Sequence, residues 1–93
     1  MVDVVSIGFG SVIMTNKIMA IVPPDSAPIK RLVTDARREN RLLDATYGRR
    51  TRSVLLMDNG MIILSAITPE TIAMRANDDG SKTKKELVPE DDA

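Results

Sequence analysis

Two apolar runs around an Asn-Gly turn constrain the fold of this sequence most. Residues 53–57 and 61–66 are separated by Asp58-Asn59-Gly60, and Asn-Gly is a strong hairpin signal because both residues tolerate a positive φ. The segments 54–57 and 61–64 are apolar at every position, which indicates burial on both faces of the hairpin. In a chain of 93 residues, one helix covers one face. We therefore expect the other face to meet a second subunit.

Four further segments predict strands. They are rich in β-branched residues, are bounded by turn residues, and cover residues 2–7, 11–15, 18–22 and 42–47. The first three favour an N-terminal β-meander, which Pro23-Pro24 ends.

Two segments predict helices. Asp25 and Ser26 are good caps, Pro28 fits a first helical turn, and apolar residues follow at helical spacing. Thr68-Pro69-Glu70 begins a shorter helix in the same way. The expected fold is α+β, with a small antiparallel sheet of about five strands, one main amphipathic helix and a short C-terminal helix.

The composition excludes several functional classes. The chain has no Cys and no His, which removes disulfides, thiolate metal sites and imidazole chemistry. We predict that it is not an enzyme and uses no cofactor, metal or small-molecule substrate. The longest uncharged stretch, residues 4–16, has 13 residues, against the roughly 20 needed to cross a bilayer. We expect a cytoplasmic protein with no membrane partner.

The net charge of zero combines two unlike parts. Residues 1–76 contain ten Lys or Arg and seven Asp or Glu, a net charge of +3, whereas residues 77–93 contain three and six, a net charge of −3. The second part has almost nothing to bury. We predict one domain over residues 1–76 and a disordered charged tail over residues 77–93.

Gly48-Arg49-Arg50-Thr51-Arg52 is the main functional candidate. Three guanidiniums within four residues repel one another, and each can bind a phosphate through two hydrogen bonds. We interpret the segment as a basic turn that binds the phosphates of a nucleic acid. The alternatives are a solvated turn, or arginines that pair with Asp35, Glu39 and Asp44.

A second basic surface lies on the predicted main helix. At about 100° per residue, its basic residues share an arc of about 120° opposite the apolar stripe. They are Lys30, Arg31, Arg37, Arg38 and Arg41. This face either extends the phosphate-binding surface or is only a solvated helix surface.

Two other patterns are weaker. Asp35, Glu39 and Asp44 could form a metal site of a nuclease, but acids interleaved with arginines are more typical of surface ion pairs. Gly8-Phe9-Gly10-Ser11 lacks the Gly-Lys-Ser/Thr ending of a phosphate loop, so we interpret it as a structural turn.

Several segments together resemble one protein family. These segments are Ile7-Gly8-Phe9-Gly10, Pro24-Asp25-Ser26-Ala27-Pro28-Ile29-Lys30-Arg31, Asp35-Ala36-Arg37, Asp44-Ala45-Thr46-Tyr47-Gly48-Arg49-Arg50-Thr51-Arg52 and Ile63-Leu64-Ser65-Ala66. Over residues 2–75 the chain is similar to the RemA-like family of bacterial extracellular matrix regulatory proteins. The resemblance implies a cytoplasmic, nucleoid-associated transcriptional regulator of biofilm matrix genes. It also implies a fold similar to LytTR-type DNA-binding domains, assembled into rings whose rim wraps DNA.

The resemblance further implies which residues contact DNA. The family's arginine pair matches Arg49 and Arg50, beside Arg52 in the same turn, and a basic residue in an earlier β-turn matches Lys17. The family has Arg at that earlier turn, and Lys17 keeps the charge but loses the bidentate fork. Additional contacts are expected from the helix residues Lys30, Arg31, Arg37 and Arg38.

The expected partners are double-stranded DNA and further copies of the chain, in an octamer-like ring whose subunit number the sequence leaves open. Two alternatives remain. An RNA-binding regulator would prefer RNA hairpins or single strands to duplex DNA. A scaffold that binds no nucleic acid would hold Arg49 and Arg50 in ion pairs at the subunit interface.

Overall fold

The computed structural model describes residues 3–77, which form six strands and two helices. The strands are β1 (Val4–Gly8), β2 (Ser11–Met14), β3 (Ile18–Val22), β4 (Leu42–Asp44), β5 (Ser53–Met57) and β6 (Ile62–Ser65), and the helices are α1 (Ala27–Arg38) and α2 (Pro69–Asn77). The α+β class is confirmed. The predicted tail, residues 77–93, lies outside the described residues except for Asn77, which ends α2.

The main sheet has four strands in the order β3-β5-β6-β4. The β5–β6 hairpin is antiparallel, as its turn predicts, and Gly60 supplies the positive φ of 91°. The prediction of an all-antiparallel sheet is wrong, because β4 pairs parallel to β6. Since β3 and β4 run in the same direction at opposite edges, α1 is the crossover that connects them.

The N-terminal β-meander is also wrong. The first two strands form a separate hairpin, β1–β2, whereas β3 pairs with β5 in the main sheet. A single 3-10 turn, Thr15–Lys17, redirects the chain between β2 and β3. The apolar β5 run gives β3 a buried partner, which the short β2 strand does not offer.

Local signals define α1 at both ends. The Ser26 hydroxyl accepts a hydrogen bond from the Ile29 N–H at 3.4 Å, as its position before Pro28 predicts. At the other end Asn40 has φ 60°, and the Arg41 N–H donates to the Ala36 carbonyl at 2.8 Å in a Schellman arrangement. Arg41 therefore lies beyond the helix, and its predicted place on the basic helix face is wrong.

Both faces of the main sheet are covered within one chain. Helix α1 packs on one face, where Ala36 meets Val54 and Leu64. On the other face, β1 and α2 bury Leu55 and Ile63. The sequence correctly indicated a hairpin buried on both faces, but the expectation that a second subunit covers the second face is wrong. The N-terminal hairpin and α2 do so instead.

Two buried serines hold the region where the N-terminal hairpin meets the main sheet: Ser65 bonds to the hairpin, and Ser53 bonds to the segment after β6. The Ser65 hydroxyl donates to the Ile7 carbonyl at 2.8 Å and accepts from the Ile67 N–H at 3.0 Å. The Ser53 hydroxyl donates to the Ile67 carbonyl. The chain passes so close here that a Cβ on Gly8 would lie 2.9 Å from Cγ1 of Ile67. The turn after β1 is thus held against the segment after β6.

Replacing Gly8 by Ala tests this close approach. Gly8 has φ 104° and would meet buried Ile67, whereas Gly48 has φ 83° and open space around it. We expect Gly8→Ala to lower the free energy of unfolding by about 2–4 kcal/mol, from backbone strain and overpacking together. Gly48→Ala carries the strain alone, about 1–2 kcal/mol.

Urea unfolding at one fixed protein concentration measures both variants, since self-association would make stability depend on concentration. Equal losses for the two variants would show that Ile67 does not confine Gly8.

Candidate nucleic-acid interface

The arginine turn, residues 48–52, connects β4 to β5 and is fixed at both ends. At its start, Oδ1 of Asp44 accepts hydrogen bonds from the N–H and the hydroxyl of Thr46, at 2.9 and 2.6 Å. The Arg49 N–H donates to the Thr46 carbonyl at 3.0 Å. At its end, the Arg52 N–H donates to the Ser65 carbonyl at 2.8 Å. These hydrogen bonds fix the position of the backbone of the turn, and therefore of the Cα atoms that carry its arginine side chains.

The guanidiniums of the arginine turn are exposed, and acidic side chains do not neutralise them. Arg49, Arg50 and Arg52 are all exposed and form no ion pair within residues 3–77. The three acids that could have paired with them have other partners. Asp35 binds Arg38 at 2.7 Å, Glu39 binds Arg41 at 2.8 Å, and Asp44 caps Thr46. Within the described residues, the arginines of the turn therefore do not pair with these acids.

Arg49 stacks on an aromatic ring from the N-terminal hairpin. Its Cζ lies 4.2 Å from the ring centroid of Phe9, within cation–π distance. The Phe9 and Tyr47 rings meet edge to face at 6.0 Å, and the Tyr47 hydroxyl lies 3.2 Å from Oγ of Ser11. The Gly8-Phe9-Gly10 segment is a turn as interpreted, but nothing in the sequence indicated that it contacts the arginine turn.

Arg50 points to a different neighbourhood. Together with Lys30 and Arg37 of α1 it lines a groove of about 430 Å³ whose apolar side includes Val33 and Val54. Asp25 is the one acid that lines this groove. Arg50 and Arg52 also line an adjoining groove of about 230 Å³, which contains Glu70. The structure therefore brings two of the helix bases to the arginine turn.

The other basic candidates lie elsewhere. Lys17 is next to the far end of β5, where its carbonyl accepts from the Asp58 N–H at 2.8 Å. The arginine turn adjoins the near end, so about 17 Å of strand separates the two, at about 3.4 Å per residue. Arg38 is occupied by Asp35, and Arg31 does not line the Arg50 groove.

The described residues offer no metal site. Within residues 3–77, no three His, Cys, Asp or Glu side chains come together as a metal would require. Neither helix in this part of the chain has the length and hydropathy to span a membrane.

The pKa of Asp44 provides a test of how the arginine turn is held. The Thr46 hydroxyl and then the Thr46 N–H bind the carboxylate, which lowers the pKa of Asp44 below its ordinary value, and the charge of Arg37 acts in the same direction. A lowered pKa means that Asp44 stabilises the fold above the ordinary value of about 3.9, and that this contribution is lost as the pH falls through the folded value.

We expect Asp44→Asn to be less stable than the parent chain at pH 7, and the difference to shrink as the pH drops below about 4. Urea unfolding of both proteins across this range measures it, with an NMR titration of the Asp44 carboxyl as a direct check. A titration at or above the ordinary aspartate value would contradict this account of the turn.

Comparison with known proteins places the chain in a family. The family model described as "Extracellular matrix regulatory protein A-like" matches residues 4–76. A protein of Trichormus variabilis is 57% identical over 74 residues, which cover 80% of this chain and 84% of the relative. One of Clostridium perfringens is 50% identical over 91 residues, covering 98% and 97%. One of Natranaerobius thermophilus is 50% identical over 86 residues, covering 92% and 97%.

All three relatives carry the same description, "Putative regulatory protein". The family and these names indicate a regulatory protein rather than an enzyme. The matched region contains all six strands, the arginine turn and nearly all of α2. The chain therefore belongs to the RemA-like family of regulatory proteins.

Proposed function

We propose that this regulatory protein acts by binding double-stranded DNA through the phosphate contacts of its arginine turn. One observation carries the proposal. Three exposed guanidiniums lie on a loop tethered at both ends, without an acidic partner in the described part of the chain. Such a cluster is favourable next to a polyanion, because each arginine can bind a phosphate with two charge-assisted hydrogen bonds.

The neighbouring helix bases extend the phosphate-binding surface. Lys30 and Arg37 share a groove with Arg50, so a backbone that binds Arg50 passes within reach of two more cations. Arg31 and Arg38 are secondary candidates for phosphate contacts. Arg31 does not line this groove, and Arg38 must first leave Asp35. Lys17 is a separate contact at the other end of β5, and its ammonium acts as a point charge without the arginine fork.

The scarcity of aromatic residues favours duplex DNA over single strands as the partner. Phe9 and Tyr47 are the only Phe and Tyr of the chain, and both already pack against the arginine turn or against each other. Proteins that recognise single-stranded RNA stack its bases on aromatic side chains. A basic surface with so few aromatic side chains suits the regular phosphates of a duplex.

The outer face of the N-terminal hairpin is the proposed contact between copies of the chain. Val4 and Met14 are cross-strand partners, and Val12 lies on the same face two residues from Met14. These side chains are 57%, 49% and 59% exposed. A second copy would cover this apolar strip, and repeated arginine turns would then bind one duplex by multivalency.

The finer features implied by the family resemblance belong to the same proposal. They are a LytTR-like fold, closed rings whose rim carries DNA, control of biofilm matrix genes, and a place on the nucleoid in the cytoplasm. The relatives' names support the regulatory role on which these features depend.

Removal of Arg49 and Arg50 tests the DNA contact. We expect Arg49→Ala/Arg50→Ala to abolish binding to duplex DNA at moderate salt while the oligomer stays intact. Any residual binding at low salt should depend less steeply on salt, by about 0.9 in log-log slope for each phosphate that the variant no longer neutralises. Fluorescence anisotropy across a salt series measures affinity and slope together.

Arg41→Ala is the matched control for each of the two single changes, because it removes one positive charge from an arginine that pairs with Glu39 and has no proposed DNA contact. A double variant that binds as the parent does, or a control that loses as much affinity, would refute the proposal. Competition with hairpin RNA in the same assay separates a DNA-binding regulator from an RNA-binding one.

A charge on the hairpin face tests the contact between copies. We expect Val12→Glu to dissociate the oligomer, because a buried unpaired carboxylate is costly, whereas Val12→Ile keeps the apolar contact. Light scattering at dilute protein concentration measures the molar mass. If the Glu variant keeps the parent's mass, or the parent itself is a monomer, the proposed interface is wrong.

A further inference from the structure

The chain's two aromatic residues share an unusual backbone conformation next to Arg49. Phe9 and Tyr47 both have φ 54°, in the left-handed region. This conformation costs a residue with a side chain about 1–2 kcal/mol, and Gly or Asn would adopt it more easily. Strained residues of this kind concentrate where a structure performs a function. The strain therefore requires an explanation from what the two rings do.

Core packing does not explain the Phe9 ring. The two apolar clusters of residues 3–77 are built mainly from Ile, Leu, Val and Ala, and Phe9 is in neither of them. The turn itself is held by other contacts, the Ser65 hydroxyl on the Ile7 carbonyl and the contact of Gly8 with Ile67. What the Phe9 ring does contact is Arg49, at 4.2 Å, and Tyr47, at 6.0 Å.

We infer that Phe9 is a positioning residue for DNA binding, which holds the Arg49 guanidinium in place for a phosphate. This rests on the proposed function. A guanidinium that stacks through its flat face keeps its N–H groups free at the edge, where a phosphate binds. The ring thus restrains the side chain before DNA arrives, and less side-chain entropy is lost on binding.

The placement of Phe9 extends the site to the N-terminal hairpin. Tyr47 supports the Phe9 ring edge to face, and its hydroxyl lies 3.2 Å from Oγ of Ser11 at the start of β2. The contacts of Arg49 and Tyr47 therefore join two turns that are far apart in sequence. Arg50 has no aromatic partner among the described residues and lines the groove with Lys30 and Arg37. The two arginines thus act differently, one restrained and one open to the groove.

The test compares Phe9→Leu with Phe9→Tyr in the full chain. Both replacements keep a side chain at the left-handed position, but Leu removes the aromatic face and Tyr keeps it. We expect Phe9→Leu to weaken duplex binding by about two- to fivefold for each arginine turn that contacts the duplex, because the variant lacks an exposed cation–π interaction. The salt slope should be unchanged, because the charge of Arg49 remains. Phe9→Tyr should bind as the parent does.

A second measurement does not depend on DNA. We expect the NMR order parameter of the Arg49 Nε–H bond to fall in Phe9→Leu and to keep its parent value in Phe9→Tyr. A double-mutant cycle, measured at low salt, adds Phe9→Leu to Arg49→Ala. If Phe9 acts through Arg49, the second change has no further effect on affinity.

The outcomes separate this inference from the proposed function. The inference is overturned if Arg49 stays equally ordered in Phe9→Leu, or if Phe9→Leu weakens binding as much without Arg49 as with it, which is the behaviour of a purely structural residue. If Arg49→Ala leaves DNA binding unchanged, the proposed function fails instead. The order parameters then still decide whether Phe9 restrains Arg49.

Discussion

The buried Ser65 at the end of β6 is the point on which the geometry of the site depends. Its carbonyl accepts from the Arg52 N–H, and its hydroxyl donates to the Ile7 carbonyl. One residue therefore fixes the end of the arginine turn and the start of the turn that carries Phe9. Because Ser65 is fully buried, these hydrogen bonds do not compete with water, and breaking either would leave a buried polar group unsatisfied. The stack of Phe9 on Arg49 follows from bringing these two turns together.

The electrostatics of the arginine turn follow from its exposure. Two unit charges about 7 Å apart repel by about 0.6 kcal/mol in water, a cost that the fold tolerates and that salt screens. Asp35 and Glu39 do not offset it, since they bind Arg38 and Arg41. Asp25 and Glu70, which line the neighbouring grooves, form no ion pair with the turn in the described part of the chain. Phosphates of a polyanion would remove the repulsion and add charge-assisted hydrogen bonds. The arrangement thus favours a ligand with regularly spaced negative charges.

Local signals in the sequence predicted local structure correctly. Ser26 and Pro28 placed the start of α1, Thr68 and Pro69 that of α2, and Asn59-Gly60 the β5–β6 hairpin. The exposure of the arginine turn agrees with its interpretation as a basic turn, but the sequence left open that its arginines pair with acids. Pairings between distant segments were not predictable in this way. These pairings depend on which apolar surfaces meet, and no turn or cap encodes that choice. They include the parallel pairing of β4, the pairing of β3 with β5 and the packing of the N-terminal hairpin on the second sheet face. The contact of Phe9 with Arg49 is of the same kind.

Binding of DNA by the arginine turn is the central claim, and an NMR titration of the labelled protein with a short duplex tests it most directly. The account predicts that the Nε–H signals of Arg49, Arg50 and Arg52 shift together with the backbone amides of the turn, while the signal of Arg41, which donates to Glu39, stays in place. If duplex DNA left those signals unchanged, or shifted a different surface of the protein, the account would be contradicted.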